Sequence, residues 1–177
     1  MTDGPVLVVG ATGMLGSQVA TELLKRGKRV RALVRAGSDA SALEAAGVEI
    51  ARGDMMDPWS LLRAMEGVDA VITSAAGYTR HRKGDTPKTD TLGNTNLVEA
   101  ASRSGVRRFV LTSILTCDQT PQVPHFWHKK LTEDRLEELG ARSWRFGRAR
   151  SWTRSPGSAA TRSAKGGSAG SDRRGSR

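Results

Sequence analysis

The sequence has one cysteine, Cys117, in 177 residues, which excludes an internal disulfide framework. That scarcity fits a reducing compartment, so the cytoplasm is the expected location. Near a strand end, Cys117 reads as a small packed residue rather than a catalytic thiol. No apolar run approaches the about 20 residues that a membrane-spanning helix needs, and no membrane partner is expected. The start, MTDGPVLVVG, sets an acid and an early Gly-Pro where a basic secretory leader would stand. Three histidines (His81, His125 and His128) and the one cysteine show no metal-ligand spacing, so no metal is expected. The most abrupt scarcity is local: after Leu139 there is no Val, Ile, Leu or Met.

Charge is also unevenly spread. The formal net charge is +10, which resembles the balance of a nucleic-acid binder until it is mapped. Residues 141–177 hold nine Arg and one Lys against one Asp, whereas residues 1–140 hold 18 basic against 17 acidic side chains. The globular part is therefore almost neutral. A basic tail binds polyanions without specificity, and no specific nucleic-acid partner is expected. Two units follow: a domain over 1–140 and an Arg/Ser/Gly-rich tail over 141–177. The tail cannot bury enough apolar area to offset its conformational entropy, and most of 147–177 is expected to be disordered.

Before the tail, β-branched runs alternate with amphipathic stretches. PVLVVG (5–10) is a continuous apolar run, as expected of a strand covered on both faces. Residues 13–26 follow as a helix with Leu15, Val19, Leu23 and Leu24 at helical spacing. Strands are expected over 29–35, 48–54, 68–77 and 107–114, with helices over 38–47, 57–67, 90–104 and 129–139. Asp57-Pro58 is a helix start, an N-cap followed by proline at the first helical position. Residues 78–88 and 115–124 read as loops. Strand–helix repetition argues for a parallel, doubly wound α/β sheet, because parallel strands need crossover helices.

The first strand runs into GATGMLG. Gly10 permits the tight turn, Gly13 lets backbone approach a pyrophosphate, and Gly16 lets the helix lie close on the strand. The helix N-terminus then offers unpaired N–H groups and a positive dipole end. The context of strand, glycine turn and helix is that of a dinucleotide cradle, made of Gly10, Thr12, Gly13, Met14, Leu15 and Gly16. About 20 residues further on, where an acid would bind the ribose of NAD, stands Arg35. It is expected to pair with the 2′-phosphate of NADP, with Arg31 as a weaker helper. NADP(H) is thus the preferred cofactor and NAD(H) the second choice. Asp54 either bonds the adenine amino group or caps the turn that follows it. The small residues Ala75, Ala76 and Gly77, after Ser74, let a cofactor lie across the ends of the strands.

These pieces resemble the short-chain dehydrogenase/reductase superfamily, in its atypical NmrA-like and NAD(P)H-binding branch. The resemblance covers about residues 5–140 and is carried by GATGMLG, Arg35, Gly53-Asp54, the 75–77 turn, NLVEAASRSGVRRFVLTS (96–113) and the Lys129 helix. It implies a Rossmann-type sheet of about five strands in the order 3-2-1-4-5, and hydride transfer between the cofactor and a small organic substrate. Active members use a serine followed by Tyr-x-x-x-Lys. Ser113 takes the serine place and Lys129 the lysine place, where it also holds the nicotinamide ribose. The tyrosine place falls on His125, which exchanges protons near neutral pH; a cofactor sensor without turnover is the other reading.

Relatives continue with a sixth strand and a Leu-Arg-Pro-Gly turn that opens a substrate lobe. Here ARSWRFGRARSWT (141–153) stands instead. Back-translated with GC-rich codons and read two bases later, that segment, continued into Arg154, can give Ala-Leu-Val-Ala-Leu-Arg-Pro-Gly-Ala-Phe-Leu-Asp-Gln. The part after about residue 140 is therefore expected to be out of frame, with the sixth strand and the substrate lobe lacking.

Overall fold

The computed structural model describes residues 4–77, 88–140, 143–146 and 152–154. Strands β1 (Val6–Val9), β2 (Val30–Val34), β3 (Glu49–Arg52), β4 (Ala70–Thr73) and β5 (Arg108–Thr112) alternate with helices α1 (Met14–Lys25), α2 (Ser41–Ala45), α3 (Pro58–Ala64), α4 (Asn94–Arg103) and α5 (Pro124–Glu138). A π-helical turn, Thr89–Gly93, leads into α4. The first five strands are parallel and lie in the order β3-β2-β1-β4-β5, as the resemblance implies.

The two faces of the sheet follow from strand alternation. Leu7 and Val9 of β1 point to one side, with Val71, Leu111, Leu61, Leu97 and Leu136 in a core under α3, α4 and α5. Val8 points to the other, with Val30, Ala32, Val34, Ala20 and Leu43 under α1 and α2. Ile72 and Val110 share the Val8 row through the register of β1, β4 and β5, yet they are only half-buried.

Local signals set several boundaries. Asp57 accepts a hydrogen bond from the Trp59 N–H at 3.0 Å, and Pro58 opens α3. Replacing Asp57 by alanine should cost about 1 kcal/mol, read as a lower urea midpoint with an unchanged slope; an unchanged midpoint would show that the cap contributes nothing. Helix α5 begins at Pro124, five residues before the expected start. Proline is tolerated at a first helical position because its missing N–H has no partner there in any case. Within this helix Leu136 is buried, whereas Leu131 is exposed.

The sheet also departs from the expected five strands. The backbone of β6 (Ser143–Phe146) pairs parallel with β5, and β7 (Trp152–Arg154) pairs antiparallel with β6. The expectation of a missing sixth strand is thereby corrected. A strand added at the edge is held by ladder hydrogen bonds that any non-proline backbone supplies, so aliphatic side chains are not a requirement. The disorder expected over 147–177 lies, apart from β7, outside the described residues, as do His81 and nearly all of the 78–88 loop.

Candidate functional site

The glycine turn sits where the strands end. Gly10 has φ of +88°, a conformation that only glycine adopts without strain, and its carbonyl accepts from the Gly13 N–H at 3.0 Å. A Cβ on Gly10 would stand 2.9 Å from Ser74 Oγ, because the end of β4 lies directly against the turn. At Gly16 a Cβ would meet the Gly10 carbonyl oxygen at 2.1 Å. Helix α1 therefore touches the strand-to-helix turn through backbone alone. Gly13 caps α1 with no side-chain hydrogen bond, and no acid stands in the first turn. The N-terminal N–H groups and the dipole of α1 are left for an anion. Thr12, Met14 and Leu15 are exposed around this opening, Met14 by 83%.

The residues after β4 form the other wall. The Ala75 N–H donates to Thr73 Oγ1 at 3.3 Å, and the Ala75 carbonyl accepts from Lys129 Nζ at 3.3 Å. Ala76 is half-buried, and the Gly77 N–H donates to Asp90 Oδ1 at 2.9 Å. Lys129 is only 4% exposed. Burial pushes its pKa below the usual lysine value, against the opposing pull of the Asp90 and Glu133 carboxylates.

Ser113 follows β5, as expected, and its hydroxyl lies 3.9 Å from the Cys117 sulfur. Cys117 is buried, and burial, aided by Glu133, raises its thiol pKa. It is thus held protonated, as suits a packed residue. His125 stands one helical turn before Lys129 on α5, half-buried, with its ring edge-on to Phe126 at 4.8 Å. Residues four apart share a helix face, so His125 and Lys129 face the same way. His128 is half-buried, and its carbonyl accepts from Thr132 Oγ1.

Arg35 is half-buried just beyond β2, and its carbonyl accepts from the Ser38 N–H and from Arg52 Nη1. Arg31 is elsewhere. Its guanidinium bonds Glu49 at 2.7 Å and the carbonyls of Ala64 and Glu66 at 2.9 and 2.8 Å. Arg31 lies near the start of β2, at the end of the sheet away from the glycine turn, so the helper role expected of it is corrected. Asp54 Oδ1 accepts from the Met56 N–H at 2.8 Å, the capping alternative of its two readings.

Sequence reasoning missed Asp90 and Asn94. Both are buried, 3% and 1% exposed, and Asn94 Nδ2 donates to the Asp90 carbonyl at 3.2 Å. The available signal was their spacing of four around Gly93, which sets two polar groups on one helical face.

A parallel doubly wound sheet with a backbone-walled glycine turn at a helix N-terminus defines a dinucleotide-binding protein of the Rossmann type. The chain belongs to the NAD(P)H-binding family, whose profile matches residues 10–143. It is 35% identical over 135 residues to the photosystem II assembly factor Ycf39 of Cyanophora paradoxa, covering 76% of this chain and 42% of that protein. It is 43% identical over 110 residues to sterol demethylase protein B of Methylococcus capsulatus, covering 60% and 33%. Among solved structures it resembles the Citrobacter triphenylmethane reductase complexed with NADP(H), at 27% identity and a TM-score of 0.67, covering 78% of this chain and 47% of that one. The chain thus spans less than half the length of these proteins. Among the described residues no helix is long and apolar enough to cross a membrane, and no cluster of His, Cys, Asp and Glu is placed to hold a metal.

Proposed function

We propose that this chain is the cofactor-binding part of an NADP(H)-dependent oxidoreductase of the short-chain type, with NAD(H) as the weaker ligand and a small organic molecule as substrate. The observation that carries the reading is the turn at Gly10–Gly16. Positions where any side chain would strike backbone are glycine, and the surface so kept clear faces an uncapped helix N-terminus. The residues fit the group: Gly10, Thr12, Gly13, Met14, Leu15 and Gly16 would hold the pyrophosphate, Arg35 the 2′-phosphate, and Ala75, Ala76 and Gly77 the nicotinamide side. When bound, the nicotinamide supplies or accepts the hydride.

The remaining roles belong to side chains. Ser113 would orient the substrate carbonyl through its hydroxyl, and Lys129 would hold the ribose while anchored on Ala75. His125 would exchange the proton at its imidazole nitrogen. That histidine in place of tyrosine, and a relative described as an assembly factor, favour a second reading: a cofactor sensor without turnover. The single, buried thiol suits a reducing compartment such as the cytoplasm.

Calorimetric titration tests the cofactor assignment. NADPH should bind more tightly than NADH. Arg35→Ala should weaken NADPH about 10- to 100-fold, the worth of one hydrogen bond to a charged group, and leave NADH unchanged. Equal loss for both cofactors would remove Arg35 from the 2′-phosphate. Binding of neither by the folded chain would end the proposal.

A further inference from the structure

Three ionisable side chains, Asp90, Lys129 and Glu133, are all buried here, between 3% and 7% exposed. Buried charge is unfavourable unless it is paired and hydrogen-bonded, so three such groups beside one short turn call for a physical reason. They come from separate elements. Asp90 is in the π-helical turn before α4, and Lys129 and Glu133 are one turn apart on α5.

We propose that Asp90 is a positioning residue, which holds the turn at Ala75–Gly77 and sets a carboxylate on the same turn that Lys129 grips. The inference deepens the cofactor reading and rests on it for the part that concerns binding. Two anchors reach the same three residues from different helices. Asp90 Oδ1 accepts from the Gly77 N–H at one end, and Lys129 Nζ donates to the Ala75 carbonyl at the other. Asn94 fixes the Asp90 backbone from one turn further on. The π-helical turn carries the aspartate to this place: its wider backbone inserts one extra residue, a device frequent at functional sites. Gly93 closes that turn against Met55, where a Cβ would stand 3.2 Å from Met55 Cβ.

The charge on Asp90 does what a neutral acceptor could not. Burial strips Lys129 of solvation and lowers its pKa, and the negative charge of Asp90, with that of Glu133 on its own helix, opposes this lowering. The unfolded chain consequently holds the Lys129 proton more tightly than the folded one. Stability therefore rises with pH between the lowered folded pKa and the ordinary lysine value. Asp90→Asn keeps an oxygen for the Gly77 N–H but removes the charge, so the folded lysine becomes a weaker base and this rise must begin at lower pH.

The test is thermal unfolding of the full chain from neutral to alkaline pH, without nucleotide, for the unchanged protein, Asp90→Asn, Lys129→Met and the double variant. Expected is an earlier alkaline rise in Asp90→Asn that vanishes once Lys129→Met is added, and a combined loss of stability smaller than the sum of the two. An unchanged pH dependence in Asp90→Asn, or additive losses, would overturn the proposal. Should Asp90→Asn not fold, Asp90→Glu retains the charge and must retain the alkaline profile. In NADPH titrations, Asp90→Ala, which also lacks the Gly77 acceptor, should bind at least tenfold more weakly than Asp90→Asn; equal affinities would refute the anchoring role. If the unchanged chain binds neither NADPH nor NADH, the cofactor reading fails by itself, and the unfolding series still decides whether Asp90 and Lys129 are coupled.

Discussion

Gly16→Ala should destabilise the protein by about 3 kcal/mol and abolish NADPH binding, although alanine is the better helix former. Helix propensity favours the substitution by about 1 kcal/mol. Against it stands the added methyl, 2.1 Å from the Gly10 carbonyl oxygen, 2.6 Å from its carbon and 2.9 Å from the Ala11 Cα. All three are backbone atoms, and none can rotate away. The start of α1 must withdraw from the turn, and the N–H groups that would meet a pyrophosphate move with it. Urea denaturation and calorimetry read the two effects separately. A variant as stable as the unchanged protein, with the same affinity, would mean that α1 does not rest on the turn.

Leu97→Ala should remove about 2–5 kcal/mol, a large part of the 5–15 kcal/mol by which domains are ordinarily stable. Leu97 is wholly buried in the core beneath α3, α4 and α5, so its deletion leaves a cavity as well as losing transfer free energy. The same helix begins directly after the π-helical turn that bears Asp90. Loosening α4 should therefore also weaken NADPH binding. Leu92→Ala serves as the comparison: Leu92 is 49% exposed, and its truncation should shift stability by no more than about 0.5 kcal/mol. Equal losses at the two positions would show that the helix is not seated on this core.

The parts of the fold legible in the sequence are those written in short-range chemistry. GATGMLG after a run of valines, and Asp57-Pro58 before Trp59, state their geometry within a few residues. Strand–helix alternation argued for a parallel, doubly wound sheet, and the strand order was implied by the family resemblance that GATGMLG helps to carry. What stayed hidden depends on distant partners. Nothing near Arg31 reveals Glu49 opposite it on β3, so its guanidinium looked available for a phosphate. Asp90 looked like an ordinary helix-start acid, because its burial is created by α5 and the β4 turn, far along the chain. Pro124 read as loop since no apolar period accompanies it. β6 was missed for a different reason: composition weighs side chains, and this strand is placed by main-chain pairing.

That pairing matters beyond the topology. Were the chain cut after Gly140, β5 would end the sheet with the N–H and C=O groups of Arg108–Thr112 facing solvent, in a stretch that contains Phe109, Val110 and Leu111. Such an open row is a template for another chain. The short strands Ser143–Phe146 and Trp152–Arg154 close it, and β7, with only three residues, leaves little for a neighbour to grip. Poor in aliphatic residues as they are, these two strands cover the β5 edge by main-chain pairing.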